Sequence, residues 1–462
     1  MTPLSVACYM ASLFSPHHAP SLHLLDAGAG IGSLTSAFLD RLRAEQAGVK
    51  DIVVTAYEID PHVREHLEQT LSQYAALLPM ETRVFSDDFI EDAVNALQFS
   101  NGPRFTHAIL NPPYKKIGSH SRQRLLLRQA GIETVNLYSA FVALAVAMLE
   151  PGGQLVAIVP RSFCNGPYYR PFREFILARA SIRHLHLFDS RDKAFKDDEV
   201  LQENIIVHLE KNGIQGPVTL STARDDRFDD YATQKLPFEQ IILPGDKEQF
   251  IHIPVHGEQP NDVLPASACH SLAELGIEVS TGPVVDFRMK EHLLDIPMPG
   301  SAPLLYPCHI AGQRTQWPKS GTKKPNALAL NETTRKWLYP NGFYTVVKRF
   351  TSKEEKRRIV AGVVLPETFD ATMLGFENHL NVFHRKKQGL PEALARGLAV
   401  YLNSSVVDFW FRRFSGHTQV NVADLKKMRF PDRNRLESIG RWAKSVENPT
   451  QEQIDDLIKE LA

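Results

Sequence analysis

Two short stretches carry residue types that do chemistry together. The first is Asn111-Pro112-Pro113-Tyr114, inside THAILNPPYKKIG (106–118), where an apolar run ends in an amide, two residues without a backbone donor, and an aromatic ring. Proline fixes its own φ and restricts the residue before it, so such a loop is extended and rigid. It aims the Asn111 amide oxygen and the Pro112 carbonyl at one point. Two acceptors with no donor between them suit a planar –NH2 group, and Tyr114 adds a flat face on which an aromatic base can stack. The second stretch is LLDAGAGIGSLTSAF, with glycines at 28, 30 and 32. Glycines let the chain turn tightly and let a ligand lie against the backbone. Taken alone, the loop is common to several nucleotide-cofactor folds. Glu58 ends the next strand-like run, where it can accept from ribose hydroxyls.

These residues need elements to position them. Over the first ~210 residues strand-like and helix-like segments alternate. LHLLDAG (22–28) leads into a helical stripe of Leu34, Phe38 and Leu42, and DIVVTAYEID (51–60) into a helix opened by Pro61 and carrying Val63, Leu67 and Leu71. TRVFSDDF, FTHAILN, GQLVAIVP, IRHLHLF and ENIIVHLE follow as strands, and LYSAFVALAVAML reads as a buried helix. This alternation predicts an α/β fold with a doubly wound, parallel-dominated sheet. The carboxyl ends of parallel strands face the ligand crevice, so both motifs are expected to open onto one cleft. From about Gly216 to Asp262 the pattern dissolves, and a crossover into a second domain is expected there. The remainder is irregular, with short strand-like pieces and one long helix candidate over 390–414.

The chain has 462 residues, long for a single core, and two domains are expected, 1–245 and 246–462. An apolar share of 43% with 23% charged residues is ordinary for a globular protein. No run approaches the ~20 apolar residues of a membrane span, and the N-terminus lacks the pattern of a signal peptide. Cys8, Cys164, Cys269 and Cys308 are scattered, with no C-x-x-C pair and no ligand-spaced histidines. Reduced thiols in a cytoplasm are expected, and no metal site. Overall charge is near zero, but residues 340–430 hold 15 Lys/Arg against 8 Asp/Glu, an excess of 15 − 8 = 7. Such a basic region fits a polyanionic partner or a solvated face equally well.

With these motifs in this order, the chain resembles the gamma class of S-adenosylmethionine-dependent N6-adenine DNA methyltransferases of type II restriction–modification systems. The catalytic motifs are TaqI-like and the C-terminal segments VSTGPVVDFR, VVKRFTSKEEKRR, ENHLNVF and GHTQVNVADLKKMRFP are similar to PstI/BsuBI-like members. The resemblance implies a Rossmann-like catalytic domain followed by an α+β target-recognition domain, with S-adenosylmethionine as cofactor. It implies that Thr2, Asp26, Gly28 and Phe141 hold the methionine end and ring of the cofactor, with Gly30 and Asn111 also cofactor-binding. Glu58 would take the ribose hydroxyls, Asp88 the adenine amino group, and Ile59 and Phe89 would sandwich that adenine. Asn111, Pro112, Pro113 and Tyr114 would be catalytic, acting on an adenine flipped from the duplex. Two departures stand out. Family members carry residues ahead of the Thr-Pro pair, so a short N-terminus is expected here. A second stacking aromatic is expected near the end of ENIIVHL, where Leu209 stands, leaving Tyr114 to stack alone or with another ring such as Phe195.

The resemblance further implies double-stranded DNA as substrate, a short palindrome such as CTGCAG as target, and a separate restriction endonuclease as functional partner. No Asp…Glu-x-Lys nuclease constellation is evident, and a monomer is expected. In the C-terminal half, Lys348, Arg349, Arg357 and Arg358 mark either a phosphate-binding loop or a charged surface helix. His417, Thr418, Gln419 and Asn421 are suited to base edges, or to a polar turn capping VADLKKM. His184 and His186 alternate on one strand and read as core-edge histidines. The Asn-Pro-Pro-Tyr geometry also admits a protein glutamine or an RNA base amine as acceptor.

Overall fold

The structure is a computed structural model that describes residues 2–45, 48–99, 102–188, 204–253, 267–351, 355–414, 419–446 and 449–460. It divides into two compact units, 1–256 and 257–462. The division falls later than the expected 245 because Ile251 and Ile253 are buried in the core of the first unit. The Ile251 N–H donates to the Cys164 carbonyl at 2.9 Å.

In the first unit the elements run α1 (Leu4–Ser12), β1 (Ser21–Ala27), α2 (Ser33–Ala44), β2 (Asp51–Tyr57), α3 (Pro61–Ala75), β3 (Met80–Phe85), α4 (Phe89–Phe99) and β4 (Phe105–Leu110). They continue through α5 (Arg122–Gln129), α6 (Leu137–Met148), β5 (Leu149–Pro160), α7 (Arg170–Leu177), β6 (Ala180–Phe188), β7 (Asn204–Lys211), β8 (Val218–Ala223) and β9 (Ala232–Leu236). One sheet has the order β3-β2-β1-β4-β5-β7-β6-β8-β9. β1 pairs in parallel with both β2 and β4, so the strand order reverses between β1 and β4. That switch point is where α/β sheets form their crevice.

Period-2 alternation sends neighbouring side chains to opposite faces. Leu22 and Leu24 of β1 join a core with Val6 of α1, Leu34 of α2 and Leu67 of α3. Leu25 and Ala27 join the other core, with Val94 of α4, Leu127 of α5, Ala140 of α6 and Phe172 of α7. Both faces are therefore covered, which is why the strands read as near-continuous apolar runs. In α6 every residue but Leu137 and Ala147 is buried.

Two expectations about elements need correction. The 216–262 stretch is not a simple crossover, since β8 and β9 extend the sheet and the acidic run 225–230 forms the turn between them. The long helix over 390–414 is two helices, Glu392–Leu402 and Ser405–Phe414. The break is held by distant partners. Asn403 Nδ2 donates to the Ala361 carbonyl at 2.8 Å while its Oδ1 accepts the Ala361 N–H at 3.0 Å. Asp455 accepts from the N–H and hydroxyl of Ser405 at 2.7 and 2.6 Å, capping the second helix.

The second unit is built on a six-stranded and a five-stranded sheet. In the first, strand Tyr344–Lys348 lies between Ala361–Val364 and Leu380–His384, antiparallel to both. Helices Glu392–Leu402 and Arg433–Ser445 contribute Leu394, Leu398, Leu436 and Ile439 to a core they share. The α+β character expected of this half is present.

Candidate active site

β1 and β4 deliver the two motifs to the switch point. After β1 the chain turns through Gly28, Gly30 and Gly32, all with positive φ (78°, 59° and 88°). A side chain there would be strained, which explains the three glycines. The turn is pinned by Gly28 and Ala29 N–H groups donating to the Tyr57 carbonyl, both at 2.9 Å. A Cβ built on Gly28 would lie 3.9 Å from the Phe141 ring and from Pro113 Cδ, and 4.0 Å from the Asn111 carbonyl. The glycine loop, the Asn-Pro-Pro-Tyr loop and α6 thus converge. At Gly30 a Cβ would meet nothing within 4 Å, so the loop faces open space there.

Glu58, one residue past β2, is anchored by two backbone donors. Gly30 N–H reaches Oε2 and Asp60 N–H reaches Oε1, each at 2.9 Å. Asp26, in β1, is fully buried. Its Oδ2 accepts from Thr35 Oγ1 at 2.7 Å, whereas Oδ1 is buried without a hydrogen-bond partner. Burial, with the nearby Glu58 charge adding to it, pushes the Asp26 carboxyl up to about 7 against the lowering effect of Thr35. Burial and the neighbouring Asp87, Glu91 and Asp88 likewise raise Asp92. Beside the glycine turn, Asp26 and Glu58 thus make an acidic environment with one orphaned acceptor, which favours a cationic ligand group.

Asp88 is exposed and accepts the Ile90 N–H at 2.9 Å, at the start of α4. Ile59 is 73% exposed, an open apolar surface beside Glu58, whereas Phe89 is only 2% exposed. The Phe89 ring packs 5.1 Å from Tyr57 and 5.0 Å from Phe141. Of the pair expected to sandwich an adenine, Ile59 therefore presents its side chain openly and Phe89 belongs to the core.

The Asn111 amide is oriented from both sides. Its Nδ2 donates to Thr2 Oγ1 at 2.9 Å, and its Oδ1 accepts from the Tyr114 hydroxyl at 3.1 Å. The Tyr114 hydroxyl also lies 3.2 Å from the Ile158 carbonyl at the end of β5. Tyr138 of α6 meets the Tyr114 ring edge-on at 6.2 Å. Pro112 is buried and Pro113 exposed. The Thr2–Asn111 contact escaped sequence reasoning, which placed Thr2 at the cofactor alone. The signal was a hydroxyl just ahead of a helix whose apolar face had to pack on this sheet.

Leu209 does not occupy a stacking position. It pairs with Leu155, which pairs with Ala108 three residues short of Asn111, and it is 1% exposed in the core. β7 runs antiparallel to β5, so its first residue, Asn204, is the one level with Pro160 at the cleft edge. Phe195 lies outside the described residues. His184 and His186 are buried against Ser221 Oγ, at 2.6 and 2.8 Å, with Tyr9 of α1 on the same hydroxyl at 2.8 Å. Burial lowers both imidazoles, His184 to about 4 and His186 to about 3. They form a neutral core network.

Among the C-terminal candidates the structure separates two groups. Arg358 is fully buried, its N–H donating to Asp408 Oδ1 at 2.6 Å and its guanidinium 5.6 Å over Phe411. It cannot serve as a phosphate contact. Residues 355–360 form bends rather than a helix. Arg357 is half-buried, bonded to Gln451 Oε1, and lowered by burial. Asn421 opens the helix Val422–Lys427, its N–H donating to Asp424 Oδ2 at 3.3 Å, as the capping alternative has it. Lys348, Arg349 and Gln419 are partly exposed, and Arg349 Nη2 donates to Gln419 Oε1 at 3.2 Å. His417 and Thr418 lie outside the described residues.

Comparison with known proteins agrees with this geometry. The Eco57I restriction-modification methylase family model matches residues 53–195. The type II methyltransferase M.BsuBI of Bacillus subtilis is 53% identical over 467 residues, covering 100% of this chain and 93% of that protein. M.PstI of Providencia stuartii, also a type II methyltransferase, is 43% identical over 473 residues, covering 100% and 92%. Among solved structures, the type IIL restriction–modification enzyme MmeI in complex with DNA matches with a TM-score of 0.56 at 10% identity, over 95% of this chain and 70% of that one. That match concerns the fold. An acidic nucleotide-type crevice, an Asn-Pro-Pro-Tyr loop at its rim and full-length identity above one half lead to one conclusion: the chain belongs to the type II DNA methyltransferases of restriction–modification systems.

Proposed function

We propose that the enzyme transfers the methyl group of S-adenosylmethionine to N6 of an adenine flipped out of a short duplex DNA site. The observation that carries this reading is the two-sided orientation of the Asn111 amide beside the glycine turn. Thr2 Oγ1 accepts from the amide nitrogen, leaving Oδ1 to face a substrate –NH2 once the Tyr114 hydroxyl yields its place.

The cofactor fits the residues present. Asp26, with its orphaned Oδ1, suits the methionine ammonium, and Thr2, Gly28, Gly30, Asn111 and Phe141 would line the cofactor site, a reading supported by the approach of Gly28 to Phe141 and Asn111 and of Asn111 to Thr2. Glu58 suits the ribose hydroxyls, Asp88 the adenine amino group, and Ile59 one adenine face. S-adenosylmethionine supplies a methyl group already activated on a sulfonium, so the protein need only orient its partner.

The adenine N6 lone pair is delocalised into the ring. Asn111 Oδ1 and the Pro112 carbonyl, accepting from N6–H, favour the more localised nitrogen and stabilise the positive charge that grows on it. Extruding the base costs a few kcal/mol, and stacking on Tyr114 offsets roughly 1–3 kcal/mol of that. No side-chain nucleophile takes part. The enzyme acts as a monomer in the cytoplasm and protects its site from a separate restriction endonuclease.

The test is transfer of labelled methyl from S-adenosylmethionine to unmethylated genomic DNA, followed by nucleoside analysis. Label in N6-methyladenine is the expected result. Label in cytosine, or none in DNA with the cofactor still bound, overturns the reading.

A further inference from the structure

Separated stretches of the second unit meet around one solvent-facing patch. Strand Tyr344–Lys348 runs out into Arg349 and Phe350, the turn 377–379 enters strand Leu380–His384, and Gln419 lies alongside. Arg349 N–H donates to the His379 carbonyl at 2.9 Å, and Val420 N–H donates to the Arg349 carbonyl at 2.7 Å. Phe350 and Gln419 form an antiparallel bridge. The backbone is thus fixed before any side chain acts.

The side chains are fixed as well. Glu377 is a fully buried carboxylate. Its Oε1 takes His379 Nδ1 at 2.5 Å and its Oε2 the His379 N–H at 2.9 Å. A buried charge is costly unless so compensated, and the effect is to hold the imidazole in one orientation. That ring lies 4.8 Å from Phe350, which is 44% exposed, and the Arg349 guanidinium lies 5.6 Å over the same ring. Arg349 Nη1 is tied to the Asn378 carbonyl at 3.2 Å and Nη2 to Gln419 Oε1 at 3.2 Å. Packed on an aromatic face and tied by two hydrogen bonds, the guanidinium is pre-organised.

The Arg349–Gln419 bond decides what the patch can read. Arg349 takes one of the two acceptor sites of the Gln419 oxygen, so the pair presents mainly donors, from the Gln419 amide nitrogen and from an arginine that has donors only. The pair is therefore a poorer match to adenine, whose major-groove edge needs one donor and one acceptor. It matches guanine, whose N7 and O6 are both acceptors. We infer that Arg349 and Gln419 read a guanine in the major groove of the target site, with Glu377, His379 and Phe350 as positioning residues. This assignment rests on the DNA-methylating reading of the chain.

The experiment maps methylated positions in genomic DNA by sequencing, for the wild type, Arg349→Lys and Gln419→Leu. Gln419→Leu breaks the pair without touching the backbone contacts, so it remains informative if the Arg349 variant is unstable. Lysine keeps the charge but loses the planar fork. The expected result is relaxed discrimination at one G·C position of the site, by roughly ten- to a hundredfold, with S-adenosylmethionine binding unchanged. A uniform fall in rate at unchanged sites would make Arg349 a phosphate contact and overturn the inference, as would wild-type rate and sites in both variants. If the wild type itself puts no methyl into DNA, the underlying reading fails and this one with it.

Discussion

The side-chain amide of Asn111 donates to Thr2 Oγ1 at 2.9 Å, joining residues 109 apart in sequence. An amide can present either its oxygen or its nitrogen to a substrate, and the proposed transfer to adenine N6 needs the oxygen as acceptor for N6–H. Thr2 holds the amide in place, its Oγ1 accepting from one Nδ2 N–H so that Oδ1 is left toward the substrate. Thr2→Val removes the acceptor and leaves the amide free to turn. It is expected to lower kcat about tenfold to a hundredfold, the range of an unsatisfied polar group, while DNA affinity holds. Thr2→Ser should restore most of the rate, and Asn111→Ala should abolish it. A Val variant no slower than wild type would remove Thr2 from this role, as would a serine variant no faster than the valine one.

Tyr114 has one hydroxyl proton and two acceptors near it, Asn111 Oδ1 at 3.1 Å and the Ile158 carbonyl at 3.2 Å. The hydroxyl can turn to Ile158 and leave Oδ1 for the substrate. On the proposed reading, the ring rather than the hydroxyl is what the flipped base uses. Tyr114→Phe is expected to stay within about tenfold of wild type, and Tyr114→Ala to lose roughly 1–3 kcal/mol of transition-state stabilisation on paired DNA. On DNA with a mismatched target base, which is easier to extrude, the alanine variant should lose less. Equal losses on the two substrates would argue against stacking.

Asp26 sets a pH dependence whose sign follows from its burial. Its carboxyl rises from 3.8 to about 7 in the folded protein, so between these values the folded state binds more protons than the unfolded one. Stability of the ligand-free protein from this group is greatest below pH ~4, falls as pH rises toward ~7, and is flat above, by up to about 4 kcal/mol. Asp26→Asn cannot ionise and should flatten the profile. Urea unfolding of both proteins across pH 4.5 to 8, without cofactor, measures the difference. Identical slopes would mean that Asp26 stays ionised.

Much of the catalytic unit was legible because its signals are local. A strand that ends in Asp26-Ala27-Gly28 or in Asn111-Pro112 declares both its face and its end, and the opening of both motifs onto one cleft followed from the parallel-dominated sheet that alternation implies. What the sequence concealed depends on partners far away in the chain. The break at Asn403 is made by Ala361, and the burial of Arg358 by Asp408 and Phe411. Leu209 was misplaced because strand direction, antiparallel in β7, is invisible to pattern reading. The strands β8 and β9 were hidden by the acidic turn between them.

The close crossing of helices Glu392–Leu402 and Arg433–Ser445 supplies a stability prediction. A Cβ on Gly397 would lie 1.8 Å from the Leu436 carbonyl oxygen, and one on Gly440 would lie 1.7 Å from that of Ala393. The two glycines therefore let the helix backbones touch. Alanine at position 397 would gain up to about 1 kcal/mol in helix propensity. The obstructing atoms are backbone, however, and cannot rotate away, so the helices must separate and loosen the core around Leu394, Leu398 and Ile439. Overpacking of this kind costs about 1–3 kcal/mol or more, and it should outweigh the propensity gain. Gly397→Ala is expected to lower the unfolding free energy by at least about 1 kcal/mol in urea titration. Gly118→Ala, where the new Cβ would meet only Ser121 Cβ at 3.7 Å, serves as the control and should stay within about 0.5 kcal/mol of wild type. A Gly397 variant as stable as wild type would show that the crossing tolerates a wider spacing.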